Sequence, residues 1–487
     1  MFGFYLFEVF VVCFISCTYF AVKYLGMLFY WVCFFLFSYF LGCFFVARVV
    51  VIGGGAAGMS AASKAKRTDP SLDVVVVEGS GYVSYAPCGI PYYVAGLVSS
   101  DEDLVTYSAE FFREKRGIDV RIHTFARSVD FDNRVVVIEH GDNVEELEYD
   151  YLVIATGAKP IRPRIDGVDL DGVKTVRFIE DGIELRRISK FIERVVIVGA
   201  GYVGLEMADA FTHLGKRVTV IEMLPHVLPN IDSDMAEIVE RELLNNGVDL
   251  RLGEKVIGFD GDEKVKEVIT EKGSYEADLV ILAVGVQPQV DLFKGSKLEF
   301  GVKGAIKVNE RMQTNIENVY AAGDVAEAKH MVTGKPTWIP LAQTANKMGR
   351  VAGANIAGDD MVFKGVLGTA FTKVFNLNVA RTGLSELEAK EDGYNVGSVK
   401  IKARTKAHYY PGSQPIHVKL IFDKDTRKLL GGQIISPGDA VGRVNVIATA
   451  LYAGLRVDDL FDIDLGYAPP YAPVWDPLVV ASSVSKK

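Results

Sequence analysis

The sequence predicts an α/β protein of about three domains, and three observations carry that prediction. A β-branched run, a glycine-rich turn, a helix-forming stretch and a second β-branched run ending in Glu occur in that order. The whole unit then recurs 146 residues later in the 487-residue chain. The composition, 49% hydrophobic with 47 glycines, suits a large core cut by many turns. The 53 basic against 62 acidic residues give a net charge of −9, which does not support a nucleic-acid surface. Five cysteines are too few for a disulfide scaffold.

Taken in order, residues 1–47 stand apart. They hold Cys13, Cys17, Cys33 and Cys43 and only two charges, Glu8 and Lys23. The uncharged run from Tyr24 to Ala47 is long enough to cross a bilayer. It lacks the basic start and cleavage site of a signal peptide. An anchor ending at Ala47 would also leave no linker before Arg48, which opens a strand. We therefore read 1–47 as an upstream-start extension rather than a membrane anchor, and expect a cytoplasmic protein.

Residues 48–78 form the first unit. Arg48-Val-Val-Val-Ile52 reads as a buried central strand and feeds Gly53-x-Gly55-Ala56-x-Gly58. A helix-forming stretch runs to Arg67, and Asp73 to Val77 is a second strand closed by Glu78, 20 residues after Gly58. This is the dinucleotide fingerprint in its proper setting. Gly53 permits the tight turn, Gly55 lets a pyrophosphate approach the backbone, and Gly58 allows helix to pack on strand. The helix N-terminus offers N–H groups to phosphate, and Glu78 can accept from ribose hydroxyls.

Cys88, the single cysteine after residue 47, lies in Ser84-Tyr-Ala-Pro-Cys88-Gly-Ile-Pro-Tyr-Tyr93. Further on, Tyr151 to Ala155 reads as a strand closing on Thr156-Gly157. The second unit is Arg194 to Val198, Gly199-x-Gly201-x-x-Gly204, and Arg217 to Ile221 ending in Glu222. A carboxylate there repels a 2′-phosphate and favours NADH over NADPH, with His226 a further contributor. Asn318 to Gly323 reads as a strand presenting Asp324 at its end. No metal-ligand cluster is present in the sequence.

With these segments assembled, the chain from 48 to about 480 resembles the pyridine nucleotide–disulfide oxidoreductases. The resemblance implies two Rossmann-like dinucleotide-binding domains, the FAD domain interrupted by the NAD domain, plus a C-terminal α+β dimerisation domain. It implies boundaries of 48–158 and 287–364 for FAD, 159–286 for NAD(P)H, and 365–487 for pairing into a homodimer. In that family Asp324 would hold the FAD ribityl chain and Glu206 would lie beside the nicotinamide.

The Ser-x-x-x-Cys-Gly-x-Pro-Tyr-Tyr segment is similar to the single-cysteine branch: coenzyme A disulfide reductases, CoA persulfide/polysulfide reductases and NADH oxidases. Two-cysteine members form an internal disulfide. Cys88 has no partner after residue 47, so its oxidised state there is a sulfenic acid, a persulfide or a mixed disulfide. Nearby backbone N–H groups and the flavin are expected to keep it a thiolate. Ser60, Lys64 and Arg67 fall at i, i+4 and i+7 of the first helix, on one face. With Ser84 and Arg116 they match the CoA-binding positions, although Lys64 stands where that branch can have Gln, and Pro87 where it can have Asn. Tyr409 and Tyr467, in two C-terminal tyrosine motifs, are the residues expected to reach the partner subunit's cysteine as weak acids. Peroxidases and many oxidases carry a His where this loop has Ala56.

The sequence therefore predicts an NAD(P)H-dependent FAD enzyme reducing CoA disulfide or CoA persulfide through Cys88. An NADH oxidase is the alternative, and a membrane-tethered flavoprotein sensor a third reading.

Overall fold

The computed structural model describes residues 46–486. The expectation for residues 1–47 thus falls almost wholly outside the described residues. Arg48–Lys487 form one compact unit. No helix among the described residues is long and apolar enough to cross a membrane.

Three five-stranded sheets organise this unit. The first is parallel, in the order Val319–Ala321, Tyr151–Ile154, Arg48–Ile52, Asp73–Val77, Asp119–Arg121. Arg48–Ile52 sits at its centre, and Val49, Val50 and Val51 are fully buried. A continuous β-branched run is what a strand covered on both faces requires. The second sheet is also parallel: Asp249–Leu252, Arg217–Glu222, Arg194–Val198, Leu279–Leu282, Val173–Thr175.

The two units repeat down to register. Ile52 pairs with Val77 and Val198 with Ile221, so each glycine loop opens directly beside the strand that ends in Glu. Gly53 N–H donates to Val77 O and Gly199 N–H to Ile221 O, both at 2.8 Å. The chain leaves the first sheet through Ala158–Pro160 and returns through Val286–Pro288, which pair antiparallel. Each sheet also carries a three-stranded antiparallel meander in its surroundings, residues 125–148 and 256–276, for which the motifs gave no signal.

The third sheet is antiparallel, in the order Ala370–Val374, Leu377–Gly383, Leu429–Ser436, Pro415–Asp423, Val396–Arg404. Helix Val441–Ala453 packs against it. Buried Lys419 in this sheet pairs with Asp232, Asp234 and Glu386 at 3.2, 2.8 and 2.7 Å. Arg381 donates to Asn230 O at 2.6 Å. These contacts join the C-terminal sheet to the loop before helix Ser233–Asn245. A buried cation with three carboxylates fixes geometry more than it adds stability.

Candidate active site

The glycine loops show what each glycine is for. A Cβ on Gly53 would lie 2.3 Å from Ala155 O, and one on Gly58 would lie 1.8 Å from Gly53 O. Gly53 also has φ +108°, a conformation that L side chains avoid. These two glycines are demanded by the chain's own packing. Gly55 is different, because a Cβ there would meet nothing within 4 Å. The second loop repeats the pattern: Gly199 and Gly204 are crowded by Ala283 O and Gly199 O, while Gly201 faces open space. In both loops the middle glycine leaves a vacant strip of backbone at the start of a helix, Ala56–Thr68 in one and Tyr202–His213 in the other. That is the cradle a diphosphate needs.

Glu78 and Glu222 each brace a glycine loop. Glu78 accepts from Gly54 N–H at 2.7 Å and Ser80 N–H at 2.8 Å. Glu222 accepts from Ala200 N–H at 2.8 Å and Leu224 N–H at 2.9 Å. Each carboxylate thus ties its glycine loop to the loop after the second strand. Glu78 still lines the first cavity, whereas Glu222 is buried. His226 is held by Glu240 at 3.0 Å, so the contribution expected of it is engaged within the chain.

A cavity of about 1400 Å³ runs from the first glycine loop past Cys88. Gly53, Gly55, Ala56, Glu78, Thr156, Gly157 and Asp324 line it. Thr156 Oγ1 donates to Gln289 O at 2.7 Å, which pins the strand end where the chain returns. Asp324 accepts from Arg177 at 2.8 Å, and Trp338 donates to its backbone carbonyl at 2.8 Å. Arg177 gave no signal in the sequence, because it precedes a helix far from both glycine loops.

The cavity lining is also basic. Ser60, Arg67, Ser84 and Arg116 line it together with Lys347 and Arg350. Lys64 does not belong to this lining. It is paired with Asp359 at 2.7 Å, so the expected i, i+4, i+7 face is replaced by Ser60, Ser63 and Arg67. The physical reason is helix Ala342–Ile356. Its Gly349 and Gly353 press on the first helix so closely that a Cβ would lie 2.1 and 2.2 Å from Ala57 O and Ala61 O. That approach brings Asp359 to Lys64, and Lys347 and Arg350 to the cavity. A Gly-x-x-x-Gly spacing was the available sequence signal. Arg67, Arg116, Lys347 and Arg350 are exposed and make no ion pair among the described residues.

Cys88 sits in a short 3-10 turn, Pro87–Gly89, ahead of helix Ile90–Val94. Its surface opens into the cavity, yet protein surrounds it closely enough to weaken its solvation. Burial therefore pushes the thiol up, and the Glu206 carboxylate pushes it the same way. Arg177 pulls it down, Asp324 opposes Arg177, and a backbone hydrogen bond adds a small pull downward. Within the chain, desolvation and Glu206 outweigh the backbone hydrogen bond, so of the two influences expected to favour a thiolate it is the flavin that would have to supply most of the effect.

Glu206 lies on helix Tyr202–His213, against which the Cys88 helix packs. It accepts from Thr372 Oγ1 at 3.0 Å. Burial raises its pKa from 4.5 to about 7. Between those two values the folded state keeps a proton that the unfolded chain releases, so stability falls as the pH rises through this window. Glu206→Gln is expected to match wild type near pH 5 and to exceed it at pH 8 by on the order of 2 kcal/mol. Urea midpoints at the two pH values measure this, and an equal gap at both would refute it.

Tyr409 and Tyr467 are exposed and lie outside the Cys88 cavity of their own chain. They are adjacent, and the neighbouring Tyr409 hydroxyl raises the pKa of Tyr467.

The family model for pyridine nucleotide-disulphide oxidoreductases matches residues 47–349, and that for their dimerisation domain matches 369–478. The chain belongs to this family. A relative from Pyrococcus horikoshii, named NAD(P)H coenzyme A polysulfide/persulfide reductase, is 48% identical over 442 residues, 90% of this chain and 98% of the relative. An NADH oxidase from Methanocaldococcus jannaschii is 38% identical over 90% of this chain and 99% of its own. The solved structure of an NAD-dependent persulfide reductase from A. fulgidus superposes with a TM-score of 0.88 at 40% identity, covering 90% of this chain and 83% of that one. The α/β architecture of this oxidoreductase is therefore the family's, and FAD and NAD(P)H are the family's cofactors. The residues present fit such groups, since the open middle glycines, the two tied glutamates and Asp324 form two dinucleotide cradles.

Proposed function

We propose that this chain reduces coenzyme A disulfide or coenzyme A persulfide with electrons from NAD(P)H, through Cys88. One observation carries the reading: Cys88, the one free cysteine among the described residues, shares a single cavity with a dinucleotide cradle and with four cations, Arg67, Arg116, Lys347 and Arg350, that make no ion pair among the described residues. A 3′-phosphate and a diphosphate on one thiol-bearing ligand match that cation set. The extent and naming of the relatives above support it.

In this reading residues 48–158 and 287–364 hold FAD, residues 159–286 hold NAD(P)H, and 365–487 pair with a second copy. Bound FAD supplies the two-electron relay between nicotinamide and thiol. Gly55 and Ala56 would hold its diphosphate in the turn that Gly53 and Gly58 shape, and Glu78, Thr156, Gly157 and Asp324 would contact the rest of it. Gly199, Gly201, Gly204 and Glu222 do the same for the nicotinamide nucleotide. Ser60, Ser84, Arg67, Arg116, Lys347 and Arg350 hold CoA. The Cys88 thiolate attacks one sulfur of CoA disulfide, the S–S bond breaks, and one CoA thiolate leaves. Two electrons from NADH then cleave the Cys88–CoA disulfide, and one proton from solvent completes two thiols. Tyr409 and Tyr467 from the second copy hydrogen-bond the departing thiolate. With CoA persulfide the same electron count yields CoA and hydrogen sulfide. The oxidase alternative is weaker, because Ala56 gives the first loop no acid for cleaving peroxide.

Anaerobic reduction by NADH followed by titration with CoA disulfide, then with CoA persulfide, tests the proposal. Rapid reoxidation by either supports it, as does a CoA-sized mass on the resting Cys88 peptide. Reoxidation by oxygen alone would leave the oxidase. Arg67→Ala and Lys347→Ala are each expected to raise KM for CoA disulfide about 10-fold with kcat nearly unchanged, an effect that shrinks at high salt. An unchanged KM in both variants would remove CoA from these cations.

A further inference from the structure

The side chain that hydrogen-bonds Glu206 comes from the C-terminal sheet. Thr372 lies on strand Ala370–Val374, is buried, and donates to Glu206 Oε1 at 3.0 Å across 166 residues of sequence. Glu206 makes no ion pair among the described residues, so this hydroxyl is the contact that favours its charged form. The same strand and its turn hold the helix at a second point, because Phe375 N–H donates to Asp209 at 3.0 Å and Lys373 pairs with Asp209 at 3.5 Å. Docking of this hairpin is thus expected to survive loss of the Thr372 contact.

We propose that Thr372 is a positioning residue that sets the charge state of Glu206, and through it the readiness of the Cys88 thiol, so that the C-terminal sheet controls the redox cysteine. Charge at Glu206 acts on Cys88 from helix Tyr202–His213, which packs against helix Ile90–Val94 directly after the turn that bears the thiol. Charged Glu206 disfavours a second negative charge on Cys88, and neutral Glu206 permits it. The other titratable groups around this pair are Asp209 and Tyr202 on the same helix, Tyr92 on the Cys88 helix, Lys373 on the strand, and Arg177 and Asp324 across the cavity. None of them supplies Glu206 with a direct cation. The inference rests on Cys88 being the reactive thiol of the proposal above, and its test uses neither CoA nor NADH.

The test is alkylation of Cys88 by iodoacetamide in holoenzyme first reduced with dithiothreitol and desalted without oxygen, followed from pH 5.5 to 9 by mass spectrometry of the Cys88 peptide. That peptide separates Cys88 from Cys13, Cys17, Cys33 and Cys43. In wild type the rate is expected to climb less than tenfold per pH unit around pH 7, because ionising Glu206 holds the thiol back. Glu206→Gln is expected to restore the full slope and to alkylate about 3-fold faster at pH 7.5. Thr372→Val is expected to move the same way, Thr372→Ser to behave as wild type, and Thr372→Val to add nothing in the Glu206→Gln background. Equal effects of Thr372→Val in both backgrounds would show a structural role and overturn the proposal. So would a wild-type profile in Glu206→Gln, a measurement that stands even if Thr372→Val does not fold. Failure of CoA-linked turnover in wild type, with these profiles intact, would instead overturn the substrate reading.

Discussion

Cys88→Ser is expected to lose reduction of CoA disulfide by at least roughly 10³-fold, while reduction of oxygen by NADH persists. The hydroxyl of serine is far weaker as an acid than a thiol and cannot form the mixed disulfide through which two electrons reach the substrate sulfur. The replacement is nearly isosteric, and Cys88 lies in a short turn open to the cavity, so the fold and the dinucleotide cradles are expected to survive. No second cysteine outside residues 1–47 can substitute. Steady-state assays with CoA disulfide, set beside an oxygen electrode, read the two activities separately. Full disulfide turnover in the serine variant would mean that the substrate takes its electrons without the protein's sulfur, and the proposed function would fall.

The second large effect separates two glycines three residues apart. Gly58→Ala is expected to cost several kcal/mol, because its Cβ would lie 1.8 Å from the backbone oxygen of Gly53 and neither side can yield. Gly55→Val is expected to fold with a stability within about 1 kcal/mol of flavin-free wild type, since its φ of −74° is ordinary and nothing occupies the space. It should nevertheless lose its flavin, because the new side chain fills the strip where a diphosphate would lie. The comparison must use flavin-free protein on both sides, as bound cofactor adds stability by mass action. Absorbance near the flavin maximum and urea midpoints give the two readouts. A yellow Gly55→Val protein would show that the vacant strip is not the cofactor's path.

Much of the site is local in sequence and was legible there. Each glycine loop, its helix and its closing glutamate fall within about thirty residues, and the turn, the close approach and the helix N-terminus are properties of those residues alone. Cys88 was legible for the same reason, since it follows the first unit directly. What escaped was built by contacts between distant segments. Arg177, Lys347 and Arg350 reach the cavity only because the inserted unit returns to the first sheet and because Gly349 and Gly353 let two helices touch backbone to backbone. The same approach removed Lys64 from the expected cation face by placing Asp359 beside it.

Charge states were decided in three dimensions. Sequence context pointed to a thiolate at Cys88, yet the folded chain surrounds that sulfur with protein and sets Glu206 near it, and both raise the thiol. Likewise Glu78 read as a ribose acceptor and Glu222 as a carboxylate that excludes a 2′-phosphate, and the structure engages the oxygens of both with loop N–H groups.

By itself, then, the order of residues determined the α/β class and the two glycine loops with their closing glutamates, and singled out Cys88 as the candidate redox sulfur, because each depends on backbone geometry or chemistry carried within one short segment. Tertiary structure alone added Lys347 and Arg350 to the cavity lining, withdrew Lys64 from it and set Thr372 beside Glu206. Those depend on distances between segments more than a hundred residues apart, and such distances exist only once the sheets and helices have packed.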